Sequence, residues 1–284
     1  MTKNRKKQHS QVLARLSKNH AAVIGLVILS LLIICAVFAP WIAPYDYTLL
    51  DFSNMLATPS KAHIFGCDEL GRDIFSRLLF GARYSLVIGL GSVALSVVFG
   101  VVIGSIAGFF GGAVDNIIMR LLDIFSSIPG LLMQIAIASV LGTGFDKTIL
   151  AISVSTMPMY VRILRASIMG VRDREYVEAA SSIGCTKERI IVRHVLPNSL
   201  SALIVTATMG VASAILMAAG LSYIGLGVQP PTPEWGAMLS GARSYLRDYP
   251  HMVIFPGLVI AITVLSLNML GDGLRDALDP KLKR

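Results

Sequence analysis

The chain has 284 residues, of which 54% are hydrophobic and 15% charged, with a formal net charge of +8 and a mean hydropathy of +0.69. A soluble domain carries about 25% charged residues, and a disordered chain lacks the apolar side chains needed for a core. Both classes are excluded, and an integral membrane protein of several helices remains. Three cysteines, Cys35, Cys67 and Cys185, are too few for a disulfide framework or a paired-cysteine metal site.

In chain order, the first apolar run spans 21–43, behind the basic stretch Lys3, Arg5, Lys6, Lys7, Arg15 and Lys18. It is longer than the roughly 7–15-residue core of a signal peptide and has no A-x-A after it, so it reads as an uncleaved spanning helix. A helix crossing ~30 Å of hydrocarbon needs about 20 mostly apolar residues. Five more stretches are predicted on that basis: 84–110, 121–141, 148–161, 200–228 and 252–270. The fourth is short and holds Pro158, and it reaches full length only if Arg162 or Arg165 extends its side chain to the interface. The expected fold is therefore all-α and polytopic, with six transmembrane helices.

Six crossings put both termini on one side. The other side receives Lys61, Arg72, Arg77, Arg83, Lys147, Arg243 and Arg247, which leaves 18 of the 25 Lys and Arg with the termini. The positive-inside rule then makes both termini cytoplasmic. The basic excess thus lies beside anionic headgroups and calls for no nucleic acid. This map places Cys67 outside and Cys185 inside, so an impermeant thiol reagent is expected to label Cys67 and spare Cys185.

The innermost part of each span lacks Asp, Glu, Lys, Arg and His, whereas ion-coupled carriers place ionisable groups there. Energy is therefore expected to enter from elsewhere. Gln134 and Asn268 are the polar candidates for lining a pathway, with hydrogen bonding between helices as the simpler role. Gly100, Gly104, Gly108 and Gly112 recur at every fourth position, a spacing suited to close helix packing. Catalytic motifs are missing. The segment 142–148 has Leu141 and Asp146 where a phosphate loop needs glycines, the five histidines form no HExxH zinc motif, and Ser222 has no intramembrane base. No metal site and no enzyme activity are expected.

The loop between the fourth and fifth spans is the most specific segment. Residues 175–184 read as a short helix with acids Glu175 and Glu178 near its N-terminus. Gly184 turns the chain, Thr186 caps a second helix, and Pro197 stops it. Glu178, Ala179, Ala180, Gly184, Leu196 and Pro197, at these spacings, resemble the EAA signature of ABC importer permeases. His194 stands where the general signature often has Ile, and the run from His194 to Asn198 is similar to the peptide-permease branch. The segment Phe65-Gly66-Cys67-Asp68-Glu69-Leu70-Gly71-Arg72-Asp73, followed by Gly81-Ala82-Arg83, resembles the second permease of dipeptide, oligopeptide and nickel importers, with Cys67 in place of the usual Thr. Pro233-Glu234-Trp235-Gly236 and Gly271-Asp272-Gly273-Leu274-Arg275-Asp276 resemble two further elements of that branch.

The resemblance implies a type I ABC importer permease fold, divided as 1–20 (cytoplasmic basic N-terminus), 21–83 (first span plus outer loop), 84–275 (permease core, with its coupling loop at 166–198) and 276–284 (cytoplasmic tail). It implies import of di- or oligopeptides, or alternatively of nickel or a metal chelate, in a bacterial or archaeal cell membrane. The partners it implies are a second homologous permease, two cytoplasmic ATPase subunits that carry ATP and Mg, and an extracytoplasmic binding protein. No cofactor is expected on this chain itself. In this reading Glu178 engages an ATPase groove, Ala179 and Ala180 allow close approach, Gly184 makes the turn, and Leu196-Pro197 closes the motif. Asp68, Arg72, Asp73, Glu234 and Trp235 are candidates for docking the binding protein. Self-pairing of the charged groups, and membrane-interface anchoring by Trp235, are the alternatives.

Overall fold

A computed structural model describes residues 14–278, so Lys3, Arg5, Lys6 and Lys7 and most of the 276–284 tail lie outside the described residues. The described residues form eleven α-helices joined by turns and short 3-10 segments. They are α1 (His20–Val37), α2 (Ala39–Ile42), α3 (Ile74–Phe110), α4 (Gly112–Ser126), α5 (Gly130–Leu141), α6 (Phe145–Arg172), α7 (Glu175–Ser182), α8 (Lys187–Ile190), α9 (Leu196–Tyr223), α10 (Trp235–Ala242) and α11 (His251–Leu278). Five helical segments are long and apolar enough to cross a membrane, and α4 with α5 forms a bent pair that passes the same test.

Local chemistry explains the boundaries. Asn19 caps α1 by accepting from the Ala22 N–H, and Pro40 opens α2 after a break at Phe38. Asp73 caps α3 through the Ser76 N–H, so this helix starts ten residues before the predicted span. The expected continuous third span is broken: α4 and α5 meet at 84° around Ser127-Ile128-Pro129. Pro129 has no N–H to donate and disfavours helical geometry at Ile128, which separates the two segments.

The fourth span also differs from expectation. α6 is 28 residues long and continues through Pro158 to Arg172. Its arginines find partners on α4, Arg162 with Asp123 and Arg165 with Asp115, instead of needing the headgroups. A neighbouring helix supplies the counter-charges that the sequence pattern alone would assign to the interface.

α3 and α6 form the most extensive helix pair, and α1 packs on α11 while α9 packs on α3, α6 and α11. The glycine stripe makes the α3/α6 contact possible. A Cβ on Gly100 would come within 2.7 Å of Tyr160 Cβ, and one on Gly104 within 2.8 Å of the Val161 carbonyl oxygen. Gly108 completes the stripe against Ile168, but Gly112 does not belong to it: it follows the end of α3 and has open space around it.

Candidate functional site

The loop after α6 is built around α7. Glu175 and Glu178 lie in its first turn, where negative charge complements the helix dipole. Its far end closes with the Gly184 N–H donating to the Ser181 carbonyl (2.9 Å) and the Cys185 N–H donating to the Ala180 carbonyl (3.1 Å). That paired pattern requires a left-handed residue, and Gly184 has φ +80°. Thr186 then caps α8 by accepting from the Arg189 N–H.

Pro197 does not stop the helix as predicted. Between α8 and α9 the chain widens into a π segment, Ile191–Val195, in which the Leu196 N–H donates to the Ile191 carbonyl five residues back. A proline ring collides with the carbonyl four residues before it in a regular α-helix. The wider turn gives Pro197 room in the first turn of α9, and the Asn198 amide donates to the His194 carbonyl at 2.6 Å.

Burial divides α7 into two faces. Val177 and Ala180 are buried with Val171, Ile190 and Val195, whereas Glu178 and Ala179 are exposed. Ala180 therefore packs within the chain, and only Ala179 of the two alanines belongs to the outer face. That face also carries Tyr176 and Ile183, the latter 80% exposed. Positions 176, 179 and 183 follow helical spacing, so they make one apolar ridge beside Glu178. Tyr176 and Ile183 were not among the residues expected from the sequence, although their offsets from Ala179 were a signal that could have found them.

The loop rests on the ends of the two most closely packed helices. The Arg172 guanidinium donates to the Gly108 carbonyl at 3.0 Å, and the Lys187 ammonium lies 5.7 Å from the Phe110 ring centroid. These contacts tie the end of α6 and the start of α8 to the end of α3. Leu196 is half-buried against the core, and Pro197 is exposed.

At the opposite end, the docking candidates are inside the fold. Asp68 accepts from the Leu70 and Arg72 N–H groups and from Arg72 Nε. Asp73 accepts from Ser76 and pairs with His63 at 3.0 Å. Glu234 caps α10 through the N–H groups of Gly236 and Ala237, both at 2.8 Å, and is 1% exposed. Trp235 is fully buried, with its indole N–H on the Leu78 carbonyl at 3.1 Å. These five side chains fasten the outer loops to α3. Their burial corrects the expectation of direct docking, and equally that of Trp235 as an interface anchor, because their polar atoms are used inside the chain.

Cys67 is fully buried in this network, and burial, followed by the charge of Asp73, pushes its thiol up to about 12. The expected labelling from outside therefore does not apply to the folded chain: a protonated, enclosed thiol does not react.

The two pathway candidates separate. Gln134 is 2% exposed and its amide donates to Ser155 Oγ (3.0 Å) and meets Met217 Sδ (3.3 Å), joining α5, α6 and α9. Asn268 is half-buried on α11. Gln134 lies between α5, α6 and α9, whereas Asn268 is on α11.

Comparison with known proteins gives matches over most of the chain. The model of the family described as binding-protein-dependent transport system inner membrane component matches residues 100–284. That of the N-terminal TM domain of oligopeptide transport permease C matches residues 8–59. A dipeptide transport system permease protein from Alkalihalophilus pseudofirmus is 44% identical over 95% of this chain and 88% of its own length. A di/tripeptide transport system permease protein from Pseudomonas aeruginosa is 47% identical over 93% of this chain and 89% of its own. A glutathione transport system permease protein from Escherichia coli is 44% identical over 95% and 89%. Among solved structures, a chain of the MetNI methionine ABC transporter in an inward-facing conformation aligns with TM-score 0.60 at 18% identity, over 72% of this chain and 96% of that one.

Proposed function

The chain belongs to the family of binding-protein-dependent transport system inner membrane components, and on that premise we propose how it works. It is a permease subunit of an ABC importer and a multi-pass protein of the bacterial inner membrane, working with ATPase and binding-protein partners. We propose that its cargo is dipeptides and related short peptides, a reading supported by the names of relatives 44–47% identical to it.

In this proposal α7 is the coupling helix. The observation that carries it is the exposed ridge of Tyr176, Ala179 and Ile183 beside Glu178, on a helix whose other face, Val177 and Ala180, is buried in the core. The ridge enters a groove on an ATPase subunit, and Glu178 meets a donor at its rim. Closure of two ATPase subunits around ATP and Mg displaces α7, and α6 and α3 transmit that displacement to the pathway as a two-state change. This chain binds no ATP or cofactor and supplies half of the pathway, the other half coming from a homologous permease. The bent pair α4 and α5 counts as the sixth span, with both termini in the cytoplasm.

The test is uptake by the reconstituted transporter, with its binding protein, of a labelled dipeptide, with nickel as the competing cargo. ATP-dependent dipeptide accumulation is expected, and it should be lost in Glu178→Lys while the permease remains inserted. Accumulation of nickel alone would replace the peptide reading, and normal uptake by Glu178→Lys would remove the coupling assignment.

A further inference from the structure

A cavity of about 700 Å³ opens between α6, α9 and α11, at the end of the bundle that carries the coupling loop. Arg174, at the start of α7, and Arg275, in the last turns of α11, both line it, together with the polar residues Asn198 and Ser201 at the start of α9. Among the described residues no acid lines it and neither arginine makes an ion pair. Further along α9 the wall is formed by Val205 and Met209 with Thr206 between them, and across from them by Ala166 and Val171 of α6.

The cavity is thus cationic and rich in donors at its mouth and mainly apolar beyond it, with the hydroxyls of Ser167 and Thr206 interspersed. Two guanidinium groups with adjacent hydroxyl and amide donors suit a phosphodiester, and a basic pocket between spanning helices on the cytoplasmic side is a site for anionic headgroups. The apolar wall and the volume, far larger than one phosphate occupies, suit an acyl chain attached to that headgroup. We propose that this cavity binds one anionic phospholipid from the leaflet on the coupling-loop side, headgroup between Arg174 and Arg275 and acyl chain along Val205 and Met209. Because Arg174 begins the coupling helix, the lipid would brace the position of α7 relative to α11.

The experiment uses the assembled transporter, stripped of lipid in detergent and titrated with phosphatidylglycerol or phosphatidylcholine, with bound lipids counted by native mass spectrometry. Wild type should retain phosphatidylglycerol in preference to phosphatidylcholine. Arg174→Gln with Arg275→Gln should bind it about twenty-fivefold more weakly, roughly fivefold for each cation removed near an anionic surface. Ala202→Trp, which fills the cavity and keeps both arginines, should also lose the lipid, and millimolar inorganic phosphate should not displace it from wild type. Retention of phosphatidylglycerol by the double variant would overturn the proposal, as would absence of a preference in wild type. Displacement by phosphate together with full binding in Ala202→Trp would make the site one for a free anion. Failure of the assembled wild type to hold any phosphatidylglycerol would mean that a neighbouring subunit fills the cavity. Should the double variant fail to assemble, Arg275→Gln alone decides, with about fivefold weakening expected and no change refuting the site.

Discussion

Arg165 on α6 grips both carboxylate oxygens of Asp115 on α4, a pairing that joins residues fifty positions apart and ties the start of α4 to α6. Arg162, one turn earlier on α6, repeats the arrangement with Asp123 and Ser126 at 3.0 Å each. The two contacts hold a helix whose outward residues, such as Ile117 and Ile124, are otherwise free.

Removing one member of the Asp115/Arg165 pair leaves the other charge largely enclosed without a partner. Asp115→Asn or Arg165→Gln is expected to cost about 1–3 kcal/mol. The double substitution should cost less than the sum of the two. A double-mutant cycle on thermal unfolding of the purified transporter checks this, and strict additivity would show that the pair is not coupled.

The α3/α6 seam depends on the missing side chains at Gly100 and Gly104. Gly104→Leu forces a branched side chain against the Val161 carbonyl and Leu164, and overpacking of this kind costs about 1–3 kcal/mol. Its yield of folded protein after detergent extraction should fall well below that of Gly112→Leu, whose position is open but carries positive φ. Equal yields would show that the stripe does not set the contact.

At the C-cap of α7, Ile183→Asp places a charge on the exposed apolar ridge without disturbing the buried face. It should reduce the ATPase subunits recovered with the permease by about tenfold, the scale of removing one modest anchor from an interface centre. Val192→Asp, also exposed but outside α7, should leave recovery near wild type. A stronger effect from Val192→Asp would place the ATPase contact elsewhere.

Topology is testable with thiols once the buried position of Cys67 is respected. Wild-type cells treated with an impermeant maleimide at neutral pH should show no labelling at Cys67, whose thiol ionises only near pH 12, well above that pH. Raising the pH to 9 should not change this, since the thiolate fraction remains small. Lys61→Cys, on the exposed part of the same loop, should label readily from outside, while Cys185 should react only after permeabilisation.

Truncating the buried tryptophan tests the role of the outer network. Trp235→Ala empties a fully enclosed site and cuts the hydrogen bond to Leu78, for an expected loss of about 3–5 kcal/mol. Lys61→Glu, on the exposed outer loop, should leave thermal stability unchanged. If Trp235→Ala lowered binding-protein affinity while stability stayed at the wild-type level, the residue would be a docking contact after all.

By itself the sequence determined the class, the family and the helical nature of the apolar stretches. Continuous runs of about 20 apolar residues and a biased Lys/Arg distribution are local properties, and neither needs a neighbour to be read. Gly184 and Thr186 were legible for the same reason, since turns and caps are formed within a few residues. Only the tertiary structure decided what long-range partners decide. It paired Arg162 and Arg165 of α6 with Asp123 and Asp115 of α4, beyond the predicted end of that span, and it enclosed Asp68, Arg72, Asp73, Glu234 and Trp235, whose residue types suggested an exposed surface. It also showed which of two adjacent alanines faces outward and brought Arg174 and Arg275 to one cavity. A charge or a small side chain has no fixed role in the sequence, because its energy depends on what the fold puts beside it: a counter-charge, a buried carbonyl or water.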